Sequence, residues 1–270
     1  KMLENFVPNY ESTVTTNLWS EGAFLLGKLN CDEYAMGSSN ETSFFGNVMN
    51  PIAENTVPGG SSGGSASALT ADLTPTTIGT DTGGSIRQPA SFTGTIGIKP
   101  TYGRISRYGL LAYASSFDQI GPITSSVQDA ALLTEIMAGK DEADATSSST
   151  EVKTYKANRA KKYKIAYSKE ALESEGVSDS VRTAYIHLIE KLKQDGHTVE
   201  EKSFPYLDYM VPCYYVLTTA EASSNLSRYS GMLYGHRSTQ ATDIESTFKK
   251  ISLLNLLKKY FSKRLRMLFK

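Results

Sequence analysis

The stretch Pro58–Gly94, PGGSSGGSASALTADLTPTTIGTDTGGSIRQPASFTG, decides how this chain is read. It carries two glycine-flanked serine clusters, Gly59-Gly60-Ser61-Ser62-Gly63-Gly64-Ser65 and Gly83-Gly84-Ser85. A short helical segment and a strand-like segment run between them. Glycine beside a serine opens backbone angles that other residues avoid and lets the main chain approach a ligand closely. A run of unpaired N–H groups there can hold a developing oxyanion, often the largest single contribution to acyl transfer. Gly/Ser composition alone also describes a flexible linker, but Ile78, Ile86, Pro89 and Phe92 do not belong in one. The stretch reads as a catalytic core.

A serine nucleophile needs a proton acceptor. The chain has three histidines, His187, His197 and His236. His187 falls inside an amphipathic helix, and His197 follows the helix-stopping Gly196. No G-x-S-x-G elbow with an acid and a later histidine occurs, so a Ser-His-Asp arrangement fits poorly. The remaining arrangement is a serine activated through a second serine by a lysine. A hydroxyl both donates and accepts, so it can relay the proton. The lysine must then be held neutral by burial and neighbours.

The rest of the chain sets the frame. Its 270 residues suffice for one large or two modest domains with a substantial core. Hydrophobic residues make up 40% and charged residues 21%, with 28 basic against 28 acidic, so no global charge points to nucleic acid or membrane. Cys31 and Cys213 lie outside any CxxC spacing, which excludes a disulfide framework or zinc ribbon and fits a reducing compartment. With no secretory leader and no long uninterrupted apolar run, the expected location is the cytosol.

Periodicity predicts a helix over Ser12–Gly22, a short buried strand over Ala23–Leu29, a short helix around Asp32–Met36 and a loop over Gly37–Asn50. Gly97–Pro100 is strand-like, and a strand ends at Gly121–Thr124. Ser126 then caps a helix whose stripe, Val127, Ala130, Leu133 and Met137, stops at Gly139. A βαβ-like unit follows, with strands at Tyr163–Tyr167 and His197–Phe204 around a helix at Ser178–Gln194. Asp208–Tyr229 is helical, with an interruption expected near Pro212. Strands alternating with helices imply an α/β fold with a mixed or parallel sheet.

GGSSGGS followed by GTDTGGSIRQPASFTG resembles the amidase signature family, whose sites use a Ser–cis-Ser–Lys triad. The resemblance implies an α/β fold, a mixed β-sheet core covered by helices on both faces. It makes Ser85 the nucleophile and Ser61 the bridging serine, on a cis Gly60–Ser61 peptide. Backbone N–H groups of Thr82, Gly83, Gly84 and Ser85 would form the oxyanion hole, with Ser62 supporting the loop. Asp81 and Arg87 would brace it, or equally form an ordinary ion pair beneath a tight turn.

The stretches GKLNCDEYAMGSSNETSFFGNVMNP, GIKPTYGRISRYGLLAYASSFDQIGPI and YYVLTTAEASSNLSRY narrow the resemblance to the glutaminase subunits of tRNA-dependent amidotransferases, from Lys1 to about Lys250. That implies release of ammonia from glutamine and its delivery to partner subunits B and C, which amidate mischarged Glu-tRNA(Gln) or Asp-tRNA(Asn). No cofactor or metal is implied in the glutaminase component; ATP and Mg belong to the partner. By position Tyr215 is a candidate for the amino-acid end of glutamine, or else a core tyrosine, and Met36–Asn40 would line the approach. The family's lysine sits in a Lys-Asp motif upstream of the segment matching Lys1–Phe6, while Lys28 and Lys99 fall at structural positions. The expected organisation is a partial core over 1–250 as a single domain and an off-family tail over 251–270. In that tail Leu254, Leu257, Phe261, Leu265 and Leu268 share one helical face, with Lys259, Lys263, Arg266 and Lys270 opposite. Such a helix suits a membrane or partner surface, or docks on the apolar surface of its own domain. Two alternatives stand beside the glutaminase reading: a stand-alone amidase acting on another small amide, and a non-catalytic docking core.

Overall fold

The computed structural model describes residue 3 and residues 6–156, 160–230, 232 and 237–251. The chain divides into two compact units, Lys1–Tyr155 with Thr218–Lys270, and Lys156–Leu217.

In the first unit, α1 (Thr13–Ser20) begins where the Ser12 hydroxyl accepts the Thr15 N–H at 3.1 Å, and a left-handed Gly22 at φ 85° follows its end. Val14 and Leu18 on its inner face join Ile105, Ile120, Met137 and Ala138 in one buried cluster. α2 (Gly63–Thr70), β1 (Thr76–Asp81), α3 (Arg87–Thr93), β2 (Ile96–Gly97), β3 (Gln119–Thr124) and α4 (Val127–Met137) build the rest of the core. The strands form one sheet in the order β1-β3-β2, with both pairings antiparallel. Thr76 lies opposite Thr124 and Asp81 opposite Gln119. β3 is buried along its whole length. Its Pro122 has no N–H to give, but its carbonyl accepts the Ile98 N–H at 3.1 Å.

A second buried cluster, Ala66, Leu69, Ile86, Ala90 and Ile123, locks α2 and α3 onto β3. Ile86 matters most for the site, because it follows Ser85 directly and is fully buried. Burial of such a side chain contributes about 1.5–3 kcal/mol, which anchors the serine turn to the core. In the second unit, β4 (Lys164–Ser168), α5 (Lys169–Glu173), α6 (Asp179–Gln194) and β5 (Thr198–Lys202) make a βαβ arrangement with a parallel strand pair. α7 (Leu207–Leu226) and α8 (Ile244–Ile251) complete the described elements.

The α/β class expected from the sequence holds, and the helices predicted from caps and stripes fall within a residue or two of α1, α4 and α6. Two elements differ. Ala23–Leu29 forms no strand, and Phe24 is 77% exposed, because no described strand offers it a ladder. α7 runs through Pro212 without a break; a proline near the helix start removes one hydrogen bond and leaves the remaining turns intact. The basic tail expected over 251–270 lies, from residue 252 on, outside the described residues.

Gly121 marks the tightest crossing in the sheet, since a Cβ there would lie 2.1 Å from the Ile98 carbonyl oxygen. Gly121→Ala therefore forces β3 away from its neighbour and lowers unfolding stability by about 1–3 kcal/mol. Chemical denaturation of the two proteins measures the difference, and equal midpoints would show that the sheet opens freely at this point.

Candidate active site

β1 ends at Asp81 and α3 begins at Arg87, so the serine turn is the short connection between them. Asp81 is completely buried and accepts five hydrogen bonds. The Gly84 N–H reaches Oδ1 at 2.8 Å, and the Ile86 and Arg87 N–H groups reach Oδ2 at 3.1 and 3.3 Å. The Arg87 guanidinium adds Nε at 3.0 Å and Nη2 at 2.9 Å. Burial alone would push the Asp81 carboxyl up. The Arg87 side chain and the Gly84 and Ile86 amides outweigh it and hold the group below the usual carboxylate range. The two sequence readings of Asp81 and Arg87 thus merge: they form an ion pair, and that pair braces the turn.

The first serine cluster meets the second from the side. The Gly60–Ser61 peptide is cis. The Ser62 N–H donates to the Ser85 carbonyl at 3.1 Å. The Ser62 hydroxyl donates to the Thr80 carbonyl and accepts the Thr80 N–H, both at 3.1 Å, tying the cluster to β1. Gly60 N–H donates to Gln88 Oε1 at 3.2 Å. Beneath lies buried Asp32, whose own N–H donates to the Ser61 carbonyl at 3.1 Å. Its carboxylate accepts the Asn40 N–H, the Thr42 N–H and the Thr42 hydroxyl at 3.0, 3.1 and 2.6 Å. A Cβ at Gly60 would fall 2.2 Å from Asp32 Oδ2, so only glycine fits there.

Ser61 is 1% exposed and Ser85 7%. Among the described residues neither hydroxyl has a hydrogen-bond partner, so the direct Ser61–Ser85 hydroxyl bond expected from their pairing is not formed, and no lysine or histidine reaches either one. The amides of Thr82, Gly83 and Ser85 likewise have no protein acceptor among the described residues. Gly84 differs: with its φ of 121° its N–H turns to Asp81, so the expected oxyanion donor at this position is already engaged.

A third buried carboxylate closes the group. Asp118 accepts the Thr82 hydroxyl at 2.6 Å, the Tyr113 N–H at 2.9 Å and the Ala114 N–H at 3.0 Å. Here burial wins over these bonds and holds the carboxyl above its ordinary range. Sequence reasoning does not single out Asp32, Gln88 or Asp118. Their only signal is an acidic or amide residue near a glycine-rich loop, which is too common to be selective. Tyr215 lies in the second unit, 52% exposed, with its ring 5.3 Å from that of Tyr214. His197 has a structural duty in that unit, accepting the Tyr163 N–H on Nδ1 at 3.0 Å. Among the described residues no cluster of His, Cys, Asp and Glu could hold a metal ion, and no helix is long and apolar enough to cross a membrane.

Residues 1–267 match the amidase family. The A chain of the glutamyl-tRNA(Gln) amidotransferase of Pelagibacter ubique is 58% identical over 241 residues, 88% of this chain and 50% of that protein. The protein of the same name from Staphylococcus saprophyticus is 52% identical over 252 residues, 92% of this chain and 52% of its own length. The chain thus spans about half the length of the curated relatives it matches. Among solved structures, the corresponding glutamyl-tRNA(Gln) amidotransferase chain from Thermotoga maritima superposes with a TM-score of 0.78 at 38% identity, over 99% of this chain and 57% of its own. Native peptide amidase from Stenotrophomonas maltophilia gives 0.72 at 31% identity, over 84% and 48%.

Asp81→Asn is expected to destabilise the fold by about 2–4 kcal/mol at neutral pH, because it removes a buried acceptor from several amides. The contribution of half-exposed Arg87 to that figure is small. The folded-state pKa of Asp81 is depressed, so its stabilisation is complete above the unfolded value of about 3.9 and is lost as pH falls through the lower folded value. Unfolding measured from pH 7 downward should show the gap between parent and variant narrowing below about pH 4. A gap that does not change with pH would mean the Asp81 charge contributes nothing.

Proposed function

The chain belongs to the amidase family, and on that footing we propose that it carries the glutamine-hydrolysing core of a tRNA-dependent amidotransferase. The observation that carries this reading is the meeting of two buried serines with a turn of unengaged amides, Ser62 N–H to Ser85 carbonyl at 3.1 Å. Ser85 Oγ attacks the side-chain carbonyl carbon of glutamine, and the oxyanion is received by amides drawn from Thr82, Gly83 and Ser85. The Ser85 proton passes by way of Ser61 to a base and then to the leaving nitrogen, so ammonia departs and a glutamyl ester remains. Water cleaves that ester, releasing glutamate and restoring the serine. Tyr215 is assigned to the amino-acid end of glutamine, and Ser62, Asp81 and Arg87 to support of the turn.

The relatives' names, which make them components of glutamyl-tRNA(Gln) amidotransferases, support amidation of mischarged tRNA as the destination of the ammonia. In this reading subunits B and C are the partners, ATP and Mg act at the tRNA-amidating partner, and the whole works in the cytoplasm. Glu-tRNA(Gln) and Asp-tRNA(Asn) are both compatible acceptors.

No lysine or histidine among the described residues touches the serine pair, and removal of one member of a catalytic unit takes away nearly all of its rate. The 270-residue chain assayed alone is therefore expected to release ammonia from glutamine at close to background. Extended by its flanking coding sequence and joined to its partner subunits, it should turn over glutamine, and Ser85→Ala should abolish this while Ser61→Ala lowers it about a thousandfold or more. Ammonia release that survives Ser85→Ala would overturn the reading. Silence of the assembled protein would favour a docking core, and hydrolysis of other small amides without partners would favour a stand-alone amidase.

A further inference from the structure

We propose that Asp118 is a positioning residue for the oxyanion-binding turn and acts through the hydroxyl of Thr82. The inference rests on the role given above to the Thr82–Ser85 turn and adds a residue to it.

The turn is held at its two ends by different carboxylates. Asp81 takes the Gly84, Ile86 and Arg87 amides, which fixes the end that enters α3. Nothing in that set touches Thr82. The other end is fixed by one bond, Thr82 Oγ1 to Asp118 Oδ1 at 2.6 Å. The register explains why these two residues meet. Asp81 pairs with Gln119 as the last rung of the β1–β3 ladder, so Thr82 and Asp118 stand one step beyond it, side by side on adjacent strand ends.

Asp118 cannot easily yield. Its oxygens also receive the Tyr113 and Ala114 amides. That loop is tied down further, with the Tyr113 hydroxyl on Thr218 at 3.1 Å and Asn225 Nδ2 on the Tyr113 carbonyl at 3.2 Å. The carboxylate therefore presents a fixed acceptor, and Thr82 must turn its hydroxyl proton toward it. This has a consequence for the backbone. A threonine hydroxyl next to a tight turn readily accepts a hydrogen bond from a nearby amide and so competes for it. Engaged by Asp118, the Thr82 oxygen is held away, and the Thr82, Gly83 and Ser85 amides remain without a protein acceptor among the described residues. An oxyanion donor displaced by even about 1 Å can cost a hundredfold in rate.

The test uses a fluorophosphonate, because its phosphoryl oxygen occupies the oxyanion position while Ser85 Oγ forms a bond to phosphorus. Fluoride leaves and the hydroxyl proton goes to buffer base. An oxyanion site retains residual activity without the full catalytic set, so the slow reaction of the folded 270-residue chain, followed by mass spectrometry at the Ser85 peptide, reports on the turn. Thr82→Val should lower the maximal labelling rate at least about tenfold with little change in the half-saturating probe concentration, and Thr82→Ser should keep the parent rate. Asp118→Asn should slow labelling to a similar degree in the parent but not further in the Thr82→Val background. Its thermal destabilisation, which comes from the Tyr113 and Ala114 amides, should be equal in both backgrounds. Parent-like labelling of Thr82→Val, or an equal rate loss from Asp118→Asn in both backgrounds, would overturn the proposal. Should Asp118→Asn fail to fold, the Thr82→Val and Thr82→Ser pair decides alone. Label that is no faster in the folded parent than in the unfolded chain, or that persists in Ser85→Ala at the same peptide, overturns instead the nucleophile assignment on which the proposal stands.

Discussion

A fully buried carboxylate surrounded by donors is the constraint on which the serine core depends. An isolated charge removed from water is very costly, so Asp81 is tolerable in the interior only while its hydrogen bonds are made. That requirement runs in both directions. The carboxylate needs the Gly84, Ile86 and Arg87 donors, and those donors therefore have one arrangement in which the chain is stable. A turn rich in glycine, which in isolation would wander, is reduced to a single shape. Asp32 does the same for the Asn40–Thr42 segment under the first serine cluster. Asp118 does it for Tyr113 and Ala114.

The glycines complete the constraint and are not there for looseness. Gly60 leaves room for Asp32, Gly63 for Asn40, and Gly64 for the Asn30 carbonyl, with an added Cβ falling at 2.2, 2.6 and 2.2 Å from those groups. Gly79 in β1 leaves room for the Ser62 side chain at 2.8 Å. Each glycine is a point of close approach between loop and core. The Gly/Ser composition that suggests a linker thus belongs to the most tightly packed part of the molecule.

This also explains what could be read from the sequence. The helices α1, α4 and α6 each begin at a serine whose hydroxyl accepts an N–H three residues on, a local pattern that is visible without a fold. The serine clusters are equally visible, because a turn of consecutive amides is a contiguous stretch of chain. Asp32, Gln88 and Asp118 are hidden, since each acts on a loop distant in sequence and its acidic or amide character is ordinary by itself. Ala23–Leu29 shows the opposite failure. Its composition is right for a strand, but a strand is a relation between two segments, and no described segment pairs with it. Gly84 combines both lessons: the sequence marks it as a permissive position, yet only the fold shows that its permissiveness turns the amide to Asp81 and away from a ligand.

The same distinction between contiguous and distant groups separates the two halves of a serine hydrolytic site. Stabilising an oxyanion requires several donors converging on one point, and successive amides of one turn supply them at no cost in long-range assembly. Accepting the nucleophile's proton requires a titratable side chain beside the hydroxyl, which backbone geometry alone cannot supply. In this chain the first half is held by three buried carboxylates on β1, before β3 and before the Asn40 loop, so it is as stable as the core itself. The hydroxyls of Ser61 and Ser85, by contrast, have no hydrogen-bond partner among the described residues, which leaves both free to take up whichever base approaches. A site of this kind is pre-organised on its electrophilic side and conditional on its basic side, so its chemistry can be governed by where the base is held without any rearrangement of the turn.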